Sequence, residues 1–119
     1  MLQGFPDDYE LIGFFEAEPT ILDPGVPWLY NTLDFSTSRN GIEVRARIIP
    51  SYRELTLRLL LAGHELALFE LKEVEGFRIV TDNRREALVV TFAAQRGLDD
   101  FVLQLKPDIR VSWGNRQFP

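Results

Sequence analysis

The sequence predicts an all-β domain, an antiparallel sandwich or flattened barrel of about eight short strands with at most one short helix. Three observations carry this. Apolar and polar residues alternate with period two in at least six segments. Turn-forming residues separate those segments at short, regular intervals. No apolar stripe of helical period is sustained anywhere. At 119 residues the chain is a single domain, residues 1–119, and folding buries roughly two-thirds of its unfolded surface, enough for a core without disulfides.

Taken in chain order, Glu10 to Glu16 reads as a first strand. Leu29 to Thr37 reads as a second, paired with Ile42 to Ile49 across Asn40-Gly41, two residues that tolerate the positive φ of a type I′ hairpin turn. Within that partner Ile42, Val44, Ala46 and Ile48 face inward while Glu43, Arg45 and Arg47 face out. Leu55, Leu57, Leu59 and Leu61 repeat the pattern against Thr56 and Arg58. Glu65 to Val74 suits a helix by its Leu, Glu and Lys content, yet its length and neighbours favour a strand. Phe77 and Ile79, then Leu88, Val90 and Phe92, then Phe101, Leu103 and Leu105 mark further strands. Ile109, Val111 and Trp113 mark the last, with Trp113 expected in the core. Turns are expected at Arg39-Asn40-Gly41, Pro50-Ser51, Ala62-Gly63-His64, Glu75-Gly76, Asp82-Asn83 and Lys106-Pro107-Asp108.

Composition narrows the function. Without cysteine there is no disulfide, thiolate nucleophile or zinc-thiolate site, and one histidine excludes a multi-histidine metal centre. A net charge of −5 argues against a sequence-independent grip on nucleic acid. The beginning of the sequence has neither the basic nor the apolar region of a secretory signal. Apolar runs such as Leu59 to Ala62 fall far short of the ~20 residues of a membrane span. The expected compartment is the cytoplasm, with no cofactor and no metal.

Catalytic readings find little to work with. Glu16 and Glu18, two apart on a strand, would lie about 7 Å from each other, near a glycosidase separation, but read more simply as a solvated edge running into Pro19. Asp7-Asp8 and Asp99-Asp100 read as loop acids, and His64 as a turn residue with no nucleophile-elbow serine to serve. No phosphate loop or dinucleotide fingerprint is present. Arg45, Arg47 and Arg58 would share outer strand faces, yet acids interleave with them as on any soluble sheet. The chain is expected not to be an enzyme.

The most distinctive feature is lopsided charge. Residues 1–38 carry seven acids and no Lys or Arg, half the aromatics and four of the seven prolines. Trp and Tyr flanked by carboxylates on stiff backbone suit a protein-binding surface. Trp28 and Tyr30 are the candidate anchors, with Asp7, Asp8, Glu16, Glu18 and Asp34 setting the field.

The stretch Pro27-Trp-Leu-Tyr-Asn-Thr-Leu-Asp-Phe and the run Leu105-Lys-Pro-Asp-Ile-Arg-Val-Ser-Trp-Gly look like those of small bacterial proteins. In overall type, a short, acidic, cysteine-free β chain without a catalytic constellation, the sequence resembles the immunity proteins that neutralise bacterial polymorphic toxins. That resemblance implies a cytoplasmic, stoichiometric inhibitor that covers the active site of one toxin domain, often a basic one, and it assigns no residue roles. The alternatives are a homo-oligomeric structural or adaptor domain, for which a homodimer is the simplest form, and a carboxylate-based hydrolase.

Overall fold

A computed structural model describes residues 4–113. It is a sandwich of two antiparallel sheets plugged by one short helix. The helix α1 spans Asp8–Phe15. Nine strands follow: β1 Thr20–Ile21, β2 Leu33–Arg39, β3 Ile42–Ile49, β4 Glu54–Leu61, β5 His64–Leu71, β6 Val74–Asp82, β7 Arg85–Phe92, β8 Phe101–Lys106 and β9 Arg110–Ser112. The first sheet runs in the order β1-β2-β3-β4-β5 and the second β6-β7-β8-β9, so the strands form an open sandwich rather than a closed barrel.

The two-residue hairpin turns form where the sequence places them. Asn40 and Gly41 both take positive φ, 53° and 81°, and join β2 to β3 in the register Arg39↔Ile42. Ala62-Gly63 and Asn83-Arg84 make the same two-residue, positive-φ connection in the β4–β5 and β6–β7 hairpins. A β-carbon on Gly41 would meet no atom within 4 Å, so the cost of replacing this residue is backbone strain alone. Gly41→Val is therefore expected to lose about 1 kcal/mol or more, and coincident thermal melts of the two proteins would contradict it.

The core is a single cluster drawn from both sheets and the helix. Phe35, Val44, Ile48, Leu55 and Leu57 enter from the first sheet, and Phe77, Leu88, Val90, Phe101 and Leu103 from the second. Phe69 and Phe101 meet across the gap at 5.1 Å between ring centres. At roughly 25 cal/mol per Å² of apolar surface removed from water, this burial is the main force holding the sheets face to face.

Four expectations need correction. Glu10 to Glu16 is not a strand: Asp8–Phe15 is helical, because Leu11, Phe14 and Phe15 repeat at helical spacing and bury together. The Asp7 amide donates to Glu10 Oε1 at 3.0 Å, and Glu16 closes the helix in the left-handed region at φ 56°. The second strand begins at Leu33, not Leu29, since Trp28–Tyr30 forms a 3₁₀ turn. Glu75-Gly76 is no turn but a bulge inside β6, where the chain before α1 crosses: the Phe77 amide donates to Gly4 O at 2.7 Å, and a β-carbon on Gly76 would sit 2.8 Å from that oxygen. Trp113 is 43% exposed rather than core, because it follows a three-residue edge strand. It instead flanks Phe92 and Phe101, with its indole N–H donating to Asp99 O at 3.0 Å. The ambiguous Glu65–Val74 segment is extended as expected, divided between β5 and the start of β6.

Candidate protein-binding surface

The acidic third of the chain is split by folding into groups with different duties. Asp7, Asp8 and Glu10 crowd the N-terminal end of α1, where negative charge complements the helix dipole, and all are exposed. Tyr9 projects among them, 68% exposed. Its phenol is held protonated above the ordinary tyrosine range, chiefly by the charge of Asp7 and then by that of Glu10.

Glu16 is not a free acid. At the C-terminal cap of α1 it pairs with Arg39, the last residue of β2, and with Lys106 of β8 at 3.0 Å. Lys106 also reaches Glu86 of β7 at 3.5 Å. The hydrogen bond from Lys106, followed by the charge of Arg39, holds the Glu16 carboxyl below the usual range. One carboxylate thus ties the helix to both sheets. Asp34 is likewise engaged, in a two-pronged pair with Arg47: Nε to Oδ1 at 2.8 Å and the terminal nitrogen to Oδ2 at 3.1 Å. Glu18 is exposed and has no ion pair among the described residues.

The two aromatic candidates part company for a local reason. Asn31, the one buried polar residue described, gathers the loop before β2 around its side chain. Its amide nitrogen donates to Asp23 O at 2.6 Å and Val26 O at 2.9 Å, while its oxygen accepts from the Asp23 and Thr32 amides, each at 3.0 Å. The tightened chain makes a 3₁₀ turn after Pro27 rather than an extended run. Trp28 is consequently half-buried against the core, whereas Tyr30 stands 66% exposed. A neighbouring 3₁₀ turn, Pro50–Tyr52, brings up Tyr52, 71% exposed, which the sequence reading passed over as part of a turn. Two amphipathic rings on adjacent rigid turns are typical interface material.

Asp34 itself lies on the outer face of the first sheet, paired across to Arg47. There an open hollow of about 520 Å³ is lined by Asp34, Arg45, Arg47, Thr56, Arg58 and Glu70, among others. Arg45 pairs with Glu43, to whose Oε2 the Ser36 hydroxyl also donates at 3.2 Å, and Arg58 pairs with Glu65 at 2.7 Å. The arginine lowers the Glu43 carboxyl below its ordinary range. His64 sits exposed at the start of β5, beyond the Ala62-Gly63 turn. Among the described residues no three His, Asp or Glu side chains are grouped to hold a metal ion, and no helix is long and apolar enough to cross a membrane.

No protein-family model matches the chain, and no curated protein matches it in sequence. Among solved structures, a chain of a contact-dependent growth inhibition toxin–immunity protein complex from Klebsiella pneumoniae 342 is similar in fold, with a TM-score of 0.81. The two are 18% identical, and the match covers 95% of this chain and 96% of that one. At that identity the likeness establishes a shared fold along almost the whole length of both chains.

Proposed function

We propose that this chain is a non-enzymatic protein-binding domain of the immunity kind, a cytoplasmic inhibitor that holds one basic toxin domain in a stoichiometric complex. The observation that carries the reading is the fold shared, nearly end to end, with a chain taken from a toxin–immunity complex. The surface chemistry supports it. Asp7, Asp8 and Glu18 are exposed acids on a segment without a Lys or Arg, a field that complements and steers a basic partner. Tyr30 supplies a rigid, exposed aromatic anchor, and half-buried Trp28 holds the turn that presents it. Glu16 and Asp34 act from behind, their charges already committed to Arg39, Lys106 and Arg47.

The test is co-production with toxin domains encoded in the same genome, taken one at a time. The expected result is restored growth and a one-to-one complex with one of them, and growth arrest by every one despite the chain would overturn the proposal. Within that complex, reversing Asp7, Asp8 and Glu18 together to Lys is expected to slow association at low salt, with the difference fading as salt rises. Tyr30→Ala is expected to act through dissociation instead, at about 2 kcal/mol. Surface plasmon resonance at two ionic strengths separates the two. Wild-type association by the triple-Lys variant at low salt would show that the acidic segment is only a solvated face.

A further inference from the structure

The outer face of the first sheet carries an arrangement that the fold does not need. Arg45 on β3 and Arg58 on β4 are direct cross-strand partners. Like charges placed opposite one another weaken a sheet. The acids that accompany them stand outside the pair, not between its members: Glu43 lies two residues before Arg45 on the same strand, and Glu65 comes from the edge strand β5. Both arginine side chains are about half exposed, 55% and 49%. Glu43 takes only Nε of Arg45, and Glu65 takes only one terminal nitrogen of Arg58. The remaining guanidinium donors have no hydrogen-bond partner among the described residues, and they line the hollow.

Two adjacent forks with unspent donors are complementary to a carboxylate or a phosphate. The rim decides between them. Asp34 and Glu70 line the hollow beside the three arginines, and Glu43 and Glu65 flank them as ion-pair partners, so a polyanion laid across the hollow meets acids as well as bases. A single carboxylate carried on an otherwise neutral or basic surface meets the opposite: its own charge is drawn to the centre and its surroundings to the rim. Asp34, one of the acids expected to set the field for the partner, belongs to this wall.

We infer that this hollow receives one Asp or Glu side chain of the protein partner, seated between Arg45 and Arg58. The inference rests on the protein-binding reading and adds to it a polarity: the partner is basic around one buried acid.

The experiment uses Arg45→Gln, Arg58→Gln and the double variant, each followed by thermal melting and by binding to the toxin domain whose growth arrest the chain relieves. The single variants are expected to melt no lower than wild type, since each relieves the opposed pair. They are expected to bind about tenfold or more weakly through faster dissociation, as truncation of one member of a desolvated charge pair does. The double variant is expected to lose less than the product of the two single losses, because both arginines serve one carboxylate. Wild-type affinity in the variants, with the wild-type protein itself bound, overturns the hollow and leaves the function standing. No binding by the wild-type protein overturns the function and the hollow with it. Variants that melt well below wild type show the arginines to be structural and overturn the inference, with Arg45→Lys and Arg58→Lys as check: retained charge should keep the fold while loss of the fork still weakens binding. Arginine-dependent binding of single-stranded RNA to the wild-type protein would also overturn it, in favour of a nucleic-acid groove.

Discussion

Phe15→Ala is expected to cost about 3–5 kcal/mol of folding stability, enough to unfold most of the population if the domain has an ordinary margin. Phe15 is fully buried in α1, its ring stacked on that of Phe35 at 4.6 Å and set edge-on to Phe14 at 5.0 Å. Phe14 is buried beside it, and the helix reaches both β2 of one sheet and β7 of the other. Truncation therefore opens a cavity where the sheets and the plug meet, a site whose neighbours are held by two hydrogen-bonded ladders and cannot collapse. Had this segment been the strand expected from the sequence, Phe14 and Phe15 would point to opposite faces and could not both enter one core. Urea denaturation with an unchanged m-value checks the result. A loss below ~1.5 kcal/mol would mean that α1 lies on the surface rather than closing the core.

Asn31→Ala is expected to cost about 2–4 kcal/mol and to weaken partner binding as well. Its side chain satisfies two carbonyls and two amides of the loop, and alanine strands three of them, the Asp23 carbonyl alone keeping a second partner in the Val26 amide. An unsatisfied buried group costs roughly 1–3 kcal/mol, but a loop that loosens lets water reach some of them, which sets the total well below three full penalties. Asn31→Asp is expected to be no better, since it turns a donor into an acceptor facing the Asp23 and Val26 carbonyls. The binding loss follows because the loop leads into the turn that presents Tyr30. Chemical denaturation and partner titration of the same variant check both halves. An Asn31→Ala protein within 0.5 kcal/mol of wild type would show that the turn is held by Pro27 alone.

The strands were legible because their signals are local. Alternation needs only neighbours, and Asn40-Gly41 needs only its own φ preferences. The helix was harder to read because Leu11, Ile12, Phe14 and Phe15 form an apolar run with one Gly in it, which fits a buried strand as well as two helical turns. The deciding signs were present in the spacing Asp7 to Glu10 and in Leu11, Phe14 and Phe15. Gly76 and Trp28 were misplaced for a different reason. The crossing of Gly4 over β6 and the loop gathered by Asn31 are contacts at long range, and no window of sequence contains them.

The candidate surface shows the same division. The charge asymmetry of residues 1–38 could be counted, and the exposure of Tyr30 agrees with its expected outward role. Whether an acid is free depends on register. Glu16 meets Arg39 and Asp34 meets Arg47 only because α1 caps beside the end of β2 and because β2 pairs with β3 as it does. The opposition of Arg45 and Arg58 follows from the β3–β4 register in turn, and the outer-face arginines carry no meaning until that pairing is known.

Each sheet is also one uninterrupted stretch of chain, passed from β5 to β6 through Lys72 and Glu73 alone. Every ladder joins strands consecutive in sequence, three of them through two-residue turns, so little loop-closure entropy opposes their formation. The first segment is the exception, since Gly4 must find Phe77 and α1 must find β7 across most of the chain. The topology predicts an order of folding in which the two meanders zip first and the plug seats last. The Phe15→Ala loss would then appear as faster unfolding with little change in refolding rate, the mark of contacts absent from the transition state. On that order the acidic end rides on the last piece to arrive and is expected to be the first to let go, so that anything clasping it would lengthen the lifetime of the native chain.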